Sequence, residues 1–231
     1  MENKWNDSDA KAAIEKYNDV DEDIALRVYT SRLIGADPSL VLHGGGNTSV
    51  KSRTRNKVDE EVDVLYVKGS GWDLDTLEPA GLPGVLLGYL QKLRSLDRLS
   101  DEEMVNEQRT HLLDASSPNP SVETLLHAFL PHKFIDHSHA DASLIIANQP
   151  DAEKMCKEIY GDRIGIVTYI MPGFALAKAS AEAYEKNPDV EGLLLINHGL
   201  FTFGDSAKES YDRHIHAVTL AEEYIAKKPL K

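Results

Sequence analysis

Two histidines one residue apart, His137-Ser138-His139, constrain this chain more than any other feature. They lie between Lys133-Phe134-Ile135-Asp136 and the apolar run Leu144-Ile145-Ile146, a pattern that brackets a short extended segment. In a strand, residues i and i+2 face the same way, so both imidazoles would point to one place. Much later, His198 follows Leu193-Leu194-Leu195-Ile196, where a buried strand reaches a turn carrying Gly199. Delivering all three side chains to one point requires two strand ends set close together. Three neutral imidazoles converging in that way make an open site for zinc or another divalent metal. Taken alone, the pair reads better as hydrogen-bonded polar histidines. The further motifs reverse that reading.

The chain has 231 residues, enough for a sizeable core and better suited to one large domain, 1–231, than to two small ones. No run approaches the ~18 apolar residues that would span a membrane, and Met1-Glu2-Asn3-Lys4-Trp5 lacks the apolar core of a signal peptide. A lone cysteine, Cys156, excludes an internal disulfide and fits a reducing, cytoplasmic setting. The net charge of −13 argues against nucleic acid or an anionic membrane as partner. An anionic substrate would need a local positive site against that field, which a metal ion supplies.

Helical spacing predicts helices over 8–17 and 21–34, the second stopping at Gly35. A glycine turn, Gly44-Gly45-Gly46, leads into a strand, and a charged hairpin-like stretch, 52–61, precedes the alternating strand 62–67. Gly- and Pro-bearing residues 69–84 read as a loop and 85–97 as a helix. Ser100 with Glu103 reads as a capping box, 122–130 as a helix introduced by Pro118-Asn119-Pro120-Ser121, and 206–227 as a long amphipathic helix. The whole is layered α/β without a domain boundary.

Three further motifs carry chemistry. Gly44-Gly45-Gly46-Asn47-Thr48-Ser49 places backbone N–H groups where they can cradle an anion, with the Asn47 amide beside them. It matches neither the Walker nor the dinucleotide pattern, and by itself it reads equally as a tight strand-entry turn. Lys68-Gly69-Ser70-Gly71 follows the next strand in the same style; Lys68 supplies positive charge or is a solvated strand-end lysine. In Pro120-Ser121-Val122-Glu123, Ser121 is placed as a helix N-cap and Glu123 falls in the first turn. A carboxylate there suits the helix dipole alone, yet it lies only one helix upstream of His137 and His139.

In this order the motifs resemble the class II aldolase/adducin family, from about Asp21 to the last helix. Gly-Gly-Gly-Asn-Thr-Ser, Val-Lys-Gly-Ser-Gly and Ser-Val-Glu-Thr-Leu-Leu-His-Ala-Phe-Leu-Pro are most similar to the aldolase half of bifunctional rhamnulose-1-phosphate aldolase/short-chain dehydrogenases. In that group a dinucleotide-binding domain follows; this sequence stops at Lys231. The resemblance implies a three-layer α/β/α sandwich with a central, mostly antiparallel sheet. It implies zinc, or another divalent metal, on His137, His139 and His198, and Glu123 as the acid/base that exchanges a proton with a substrate carbon. Asn47, Ser70, Gly71 and Ser121 match the groups that hold a phosphate, with one departure: Val122 stands where several family aldolases carry a second phosphate-binding serine.

The implied reaction is retro-aldol cleavage of a deoxyketose 1-phosphate, foremost rhamnulose 1-phosphate, to dihydroxyacetone phosphate and an aldehyde. A Lewis-acidic ion and a nearby carboxylate explain those residue types without a Schiff-base lysine. Relatives in the family also include sugar-phosphate 4-epimerases, a thioribulose-phosphate dehydratase and non-catalytic adducin heads, which lack the metal ligands. The family aldolases are homotetramers that borrow a tyrosine or acid from a neighbouring subunit, and this chain is expected to assemble likewise.

Overall fold

A computed structural model describes residues 1–227; residues 228–231 of the expected 1–231 domain lie outside that description. The chain opens with α1 (Asp7–Lys16) and α2 (Glu22–Gly35). Asn6 accepts from the Ser8 and Asp9 amides, and Asp21 accepts from the Asp23 amide, so donors that a helix start leaves free are satisfied. Strands β1 (Asn47–Arg55), β2 (Glu61–Val67) and β3 (Gly84–Leu86) follow, then helices α3 (Leu87–Leu93), α4 (Asp101–Thr110) and α5 (Thr124–Phe129). After β4 (Phe134–Ser138) come α6 (Asp141–Ala147), α7 (Ala152–Tyr160), β5 (Ile164–Val167) and α8 (Phe174–Lys186). β6 (Gly192–Leu195), β7 (Gly199–Gly204) and α9 (Ala207–Lys227) complete the described chain.

The strands form one sheet in the order β3-β2-β1-β4-β7-β6-β5. Every neighbouring pair is antiparallel except β5–β6, whose parallel pairing is bridged by the crossover helix α8. Strand alternation feeds two cores. Val50, Phe134, Leu194 and Leu200 face α2, α6, α7 and α9, while Leu65, Val85, Ile135, Leu193, Phe201 and Phe203 face α3, α5 and α8. The result is the three-layer α/β/α arrangement, with a mostly antiparallel sheet, that the sequence predicts. Among the described residues no helix is long and apolar enough to cross a membrane.

Among the boundaries that differ from the sequence reading, two stand out. The stretch 85–97, expected to be helical, begins as strand, because Val64, Leu65 and Tyr66 of β2 offer Gly84–Leu86 an edge to pair with. The helix expected over 122–130 starts at Thr124; Ser121-Val122-Glu123 form the turn that leads into it.

One face of the sheet carries a buried polar layer between β4 and the helices. Asp136 pairs with Arg27, both fully buried, and accepts from Ser210 Oγ at 2.6 Å. His214 on α9 lies 2.8 Å from Thr202 Oγ1 and 2.7 Å from Ser138 Oγ. This layer backs the strand end from which the paired histidines emerge.

Candidate active site

β4 and β7 lie side by side with His137 opposite Phe201. His137 therefore points to the α5 face, where its ring stacks on Phe201 with 3.9 Å between centroids. His139 follows directly after the end of β4. His198 sits in the turn Ile196-Asn197-His198 that joins β6 to β7 and closes the Leu195–Gly199 pair. Asn197 adopts the left-handed conformation there, φ 57°, which asparagine tolerates better than most residues. Gly199 answers a different need, that of room: a Cβ there would lie 2.5 Å from Ser138 O and 2.9 Å from His137 Cε1.

One nitrogen from each of His137, His139 and His198 lies within 4.8 Å of the others, and His137 Nε2 is 3.1 Å from His139 Nε2. His137 Nδ1 donates to Leu200 O at 3.0 Å, which leaves Nε2 as the unprotonated nitrogen facing His139. Burial holds both His137 and His139 below the usual imidazole range, so at neutral pH they are in the uncharged form that binds metals. His198 Nδ1 is buried with no hydrogen-bond partner. Three imidazoles, two of them neutral by burial, with one nitrogen each at a common point form the donor set that zinc or a similar cation takes, and these residues fit it.

Glu123 stands against this cluster, 3.3 Å from His137 Nε2 and 3.0 Å from His198 Nε2. Asn47, opposite His137 across β1 and β4, donates from Nδ2 to Glu123 Oε2 at 2.6 Å and to Ser121 Oγ at 3.1 Å. Burial works against charge on Glu123, but the hydrogen bonds from His198 and the Asn47 amide work the other way, and the carboxyl is held well below its ordinary range. Glu123 Oε1 is buried and faces His198 Nε2, so both carboxylate oxygens point into the cluster. Ser121 Oγ accepts from Asn47 and from the Glu123 amide, which is 3.3 Å away. Its own O–H is thereby left to donate elsewhere.

A cleft of about 360 Å³ opens over these groups. Seven of the residues expected from sequence line it: Asn47, Ser70, Gly71, Ser121, Glu123, His139 and His198; His137 lies buried behind them. The turn Gly44-Gly45-Gly46 forms one wall, with Gly46 at φ 67°, where a Cβ would meet His137 O at 2.7 Å. Lys68 is a buried part of the wall and not a solvated strand end; Nζ donates to Gly44 O at 3.1 Å, and burial lowers its pKa. His127 carried no functional signal in the sequence, yet it is fully buried and bonded to Asn47. Only its spacing, one helical turn after Glu123, could have drawn attention to it.

The family described as "Class II Aldolase and Adducin N-terminal domain" matches residues 26–225. The chain belongs to that family. It is 41% identical over 198 residues to a Bacillus subtilis (strain 168) protein named "Uncharacterized oxidoreductase YuxG", a match covering 86% of this chain and only 29% of that protein's length. The N-terminal class II aldolase domain of a conserved protein from Thermoplasma acidophilum superposes with a TM-score of 0.87 at 43% identity, over 97% of this chain and 99% of that one. A sugar-phosphate aldolase from Thermotoga maritima shares the fold, with a TM-score of 0.67 at 16% identity over 91% of this chain and 97% of that one. So does L-fuculose-1-phosphate aldolase from Thermus thermophilus, at 0.55 and 18% over 88% and 95%.

Proposed function

We propose that this protein is a zinc-dependent lyase that cleaves a deoxyketose 1-phosphate, foremost rhamnulose 1-phosphate, to dihydroxyacetone phosphate and an aldehyde. The observation that carries the reading is the meeting, at one cleft, of three imidazoles and an ionised carboxylate set against them. His137, His139 and His198 would hold the metal, which supplies Lewis-acid polarisation of the ketose carbonyl. In cleavage the C3–C4 bond breaks, its electron pair stays on C3, and the C4 hydroxyl gives its proton to the ionised Glu123 carboxylate as the aldehyde forms. Glu123 delivers the proton that C3 then takes up, and in the reverse direction removes it. Ser70, Gly71 and Ser121 would bind the phosphate, with Asn47, whose NH2 group already serves Glu123 and Ser121, orienting the Ser121 hydroxyl and Lys68 adding positive charge at the same wall. Binding the remote phosphate orients the reacting carbons.

The sugar-phosphate aldolases that share the fold support this substrate class. We also assign the protein to the cytoplasm and to a homotetramer whose neighbour completes each site. Exposed Val122 lines the cleft, and exposed Tyr169 and Met171 come just before Pro172 in its wall, an apolar rim suited to a second copy. The test is turnover of a panel of ketose phosphates with added zinc. The expected result is dihydroxyacetone phosphate release from a deoxyketose 1-phosphate, abolished by a chelator and restored by zinc. Epimerised or dehydrated product without cleavage would overturn the lyase assignment. No turnover at all would favour an interaction module.

A further inference from the structure

Three successive same-face residues of β1 converge on a single residue of α5, two on its ring and one on its backbone. Asn47 Oδ1 lies 2.5 Å from His127 Nε2, Ser49 Oγ lies 2.7 Å from His127 Nδ1, and Lys51 Nζ donates to His127 O at 2.8 Å. Phe201, the ring on which His137 stacks, meets His127 edge-on at 5.6 Å. Asn47, Ser49 and His127 are all buried, so each polar atom must find its partner within this cluster.

The hydrogen bonds permit one assignment of protons. An ionised Glu123 only accepts, so the Asn47 atom 2.6 Å from Oε2 must be the NH2 group. The other end of the amide, Oδ1, then faces His127 and only accepts, so His127 must carry its proton on Nε2. Nδ1 is left as an acceptor, and the Ser49 hydroxyl must donate to it. A protonated ring would place two donors against Ser49 and Asn47. Burial opposes that charge, pushing the His127 pKa down to about 3. Lys51, bonded also to His132 O at 2.7 Å, ties down the backbone that carries the ring.

We propose that His127 is a positioning residue of this site: pinned by Asn47, Ser49 and Lys51, it holds the Asn47 amide with its NH2 group turned to Glu123 and Ser121. With His127 lost, the Asn47 amide is free to turn its oxygen to Glu123, opposing the carboxylate where a donor now supports it. The effect on turnover passes through Asn47, and the inference rests on the cleft being the reacting site.

Two measurements test it. Imidazole ¹⁵N NMR of the zinc-loaded protein, with His127 assigned by its absence in His127→Gln, should find a proton on Nε2 and none on Nδ1. A ring protonated on Nδ1, or on both nitrogens at neutral pH, overturns the proposal. With rhamnulose 1-phosphate, His127→Phe should lower kcat roughly 10- to 100-fold with little change in KM, and His127→Gln, which keeps an N–H for Asn47 Oδ1, should recover most of it. In an Asn47→Ala background, His127→Phe should add less than about a twofold further loss. Losses that multiply in full, or a fall in thermal stability with kcat unchanged, overturn the proposal. Should His127→Phe not fold, His127→Leu takes its place in the cycle, and the NMR result decides if neither folds. If the wild-type protein cleaves no ketose phosphate, the proposed reaction fails, while the His127 ring proton still decides this inference.

Discussion

Acid should destabilise this protein through a residue that never meets substrate. His214 is fully buried on α9 between Thr202 and Ser138. The Thr202 hydroxyl donates to Ser210 O at 3.1 Å, so its oxygen accepts from His214 Nδ1–H, and the bare Nε2 accepts from Ser138. Protonating Nε2 would break that arrangement beside both paired histidines. Burial accordingly lowers the His214 pKa to about 4, against an ordinary value of 6.5. A depressed histidine pKa means that the unfolded chain binds the extra proton first, so stability is intact above pH 6.5 and is lost as the pH falls toward 4. At ~1.4 kcal/mol per unit, the gap is worth on the order of 3 kcal/mol by pH 4. Urea unfolding of the wild type and of His214→Gln, followed from about pH 7 to pH 4, isolates this contribution, because the other acid-sensitive groups are common to both. The wild type should lose about 3 kcal/mol more than the variant over that range. Parallel curves for the two proteins would show that His214 does not couple folding to protonation.

Other perturbations test the frame around the site. Gly199→Ala should weaken zinc binding at least tenfold by titration, because the new methyl overlaps Ser138 O and must push apart the strands that bring His137 and His198 together. Affinity equal to wild type would mean that the turn yields freely. Asp136→Asn should cost about 3–5 kcal/mol in chemical denaturation by leaving the buried Arg27 guanidinium without its counter-charge; a loss under about 1 kcal/mol would show that its remaining acceptors suffice. His198→Ala should lower zinc content by elemental analysis while the fold persists by circular dichroism, and unchanged metal content would remove His198 from the ligand set.

Much of the architecture was legible because local rules and tertiary demands agree. The Ser100–Glu103 capping box forms as read, and the His137/His139 spacing becomes one strand end because β4 is extended through Ser138. Strand β3 was not legible: Gly84–Leu86 is too short to show a period, and its pairing with β2 exists only in three dimensions. Ser121 was expected to cap a helix, yet its hydroxyl instead closes the turn that aims Glu123. The residues hardest to find were polar ones inside the protein. Arg27 and His127 look like ordinary helix-surface residues until partners 109 and 80 positions away, Asp136 and Asn47, bury them. Lys68 changed meaning for the same reason, since its acceptor, Gly44 O, belongs to a different turn.

In the proposed reaction Glu123 moves a proton at a substrate carbon beside a metal held by His137, His139 and His198. Deuterium exchange measures this most directly. Zinc-loaded protein is incubated with dihydroxyacetone phosphate in D2O, and NMR follows the carbon-bound hydrogens of the hydroxymethyl group that would become C3 of the ketose. The wild type should replace one of the two hydrogens at that carbon with deuterium, whereas Glu123→Gln should keep its zinc and exchange none. Exchange that persists in Glu123→Gln with the metal bound would take the proton transfer away from Glu123, leaving it a carboxylate at the start of a helix and nothing more.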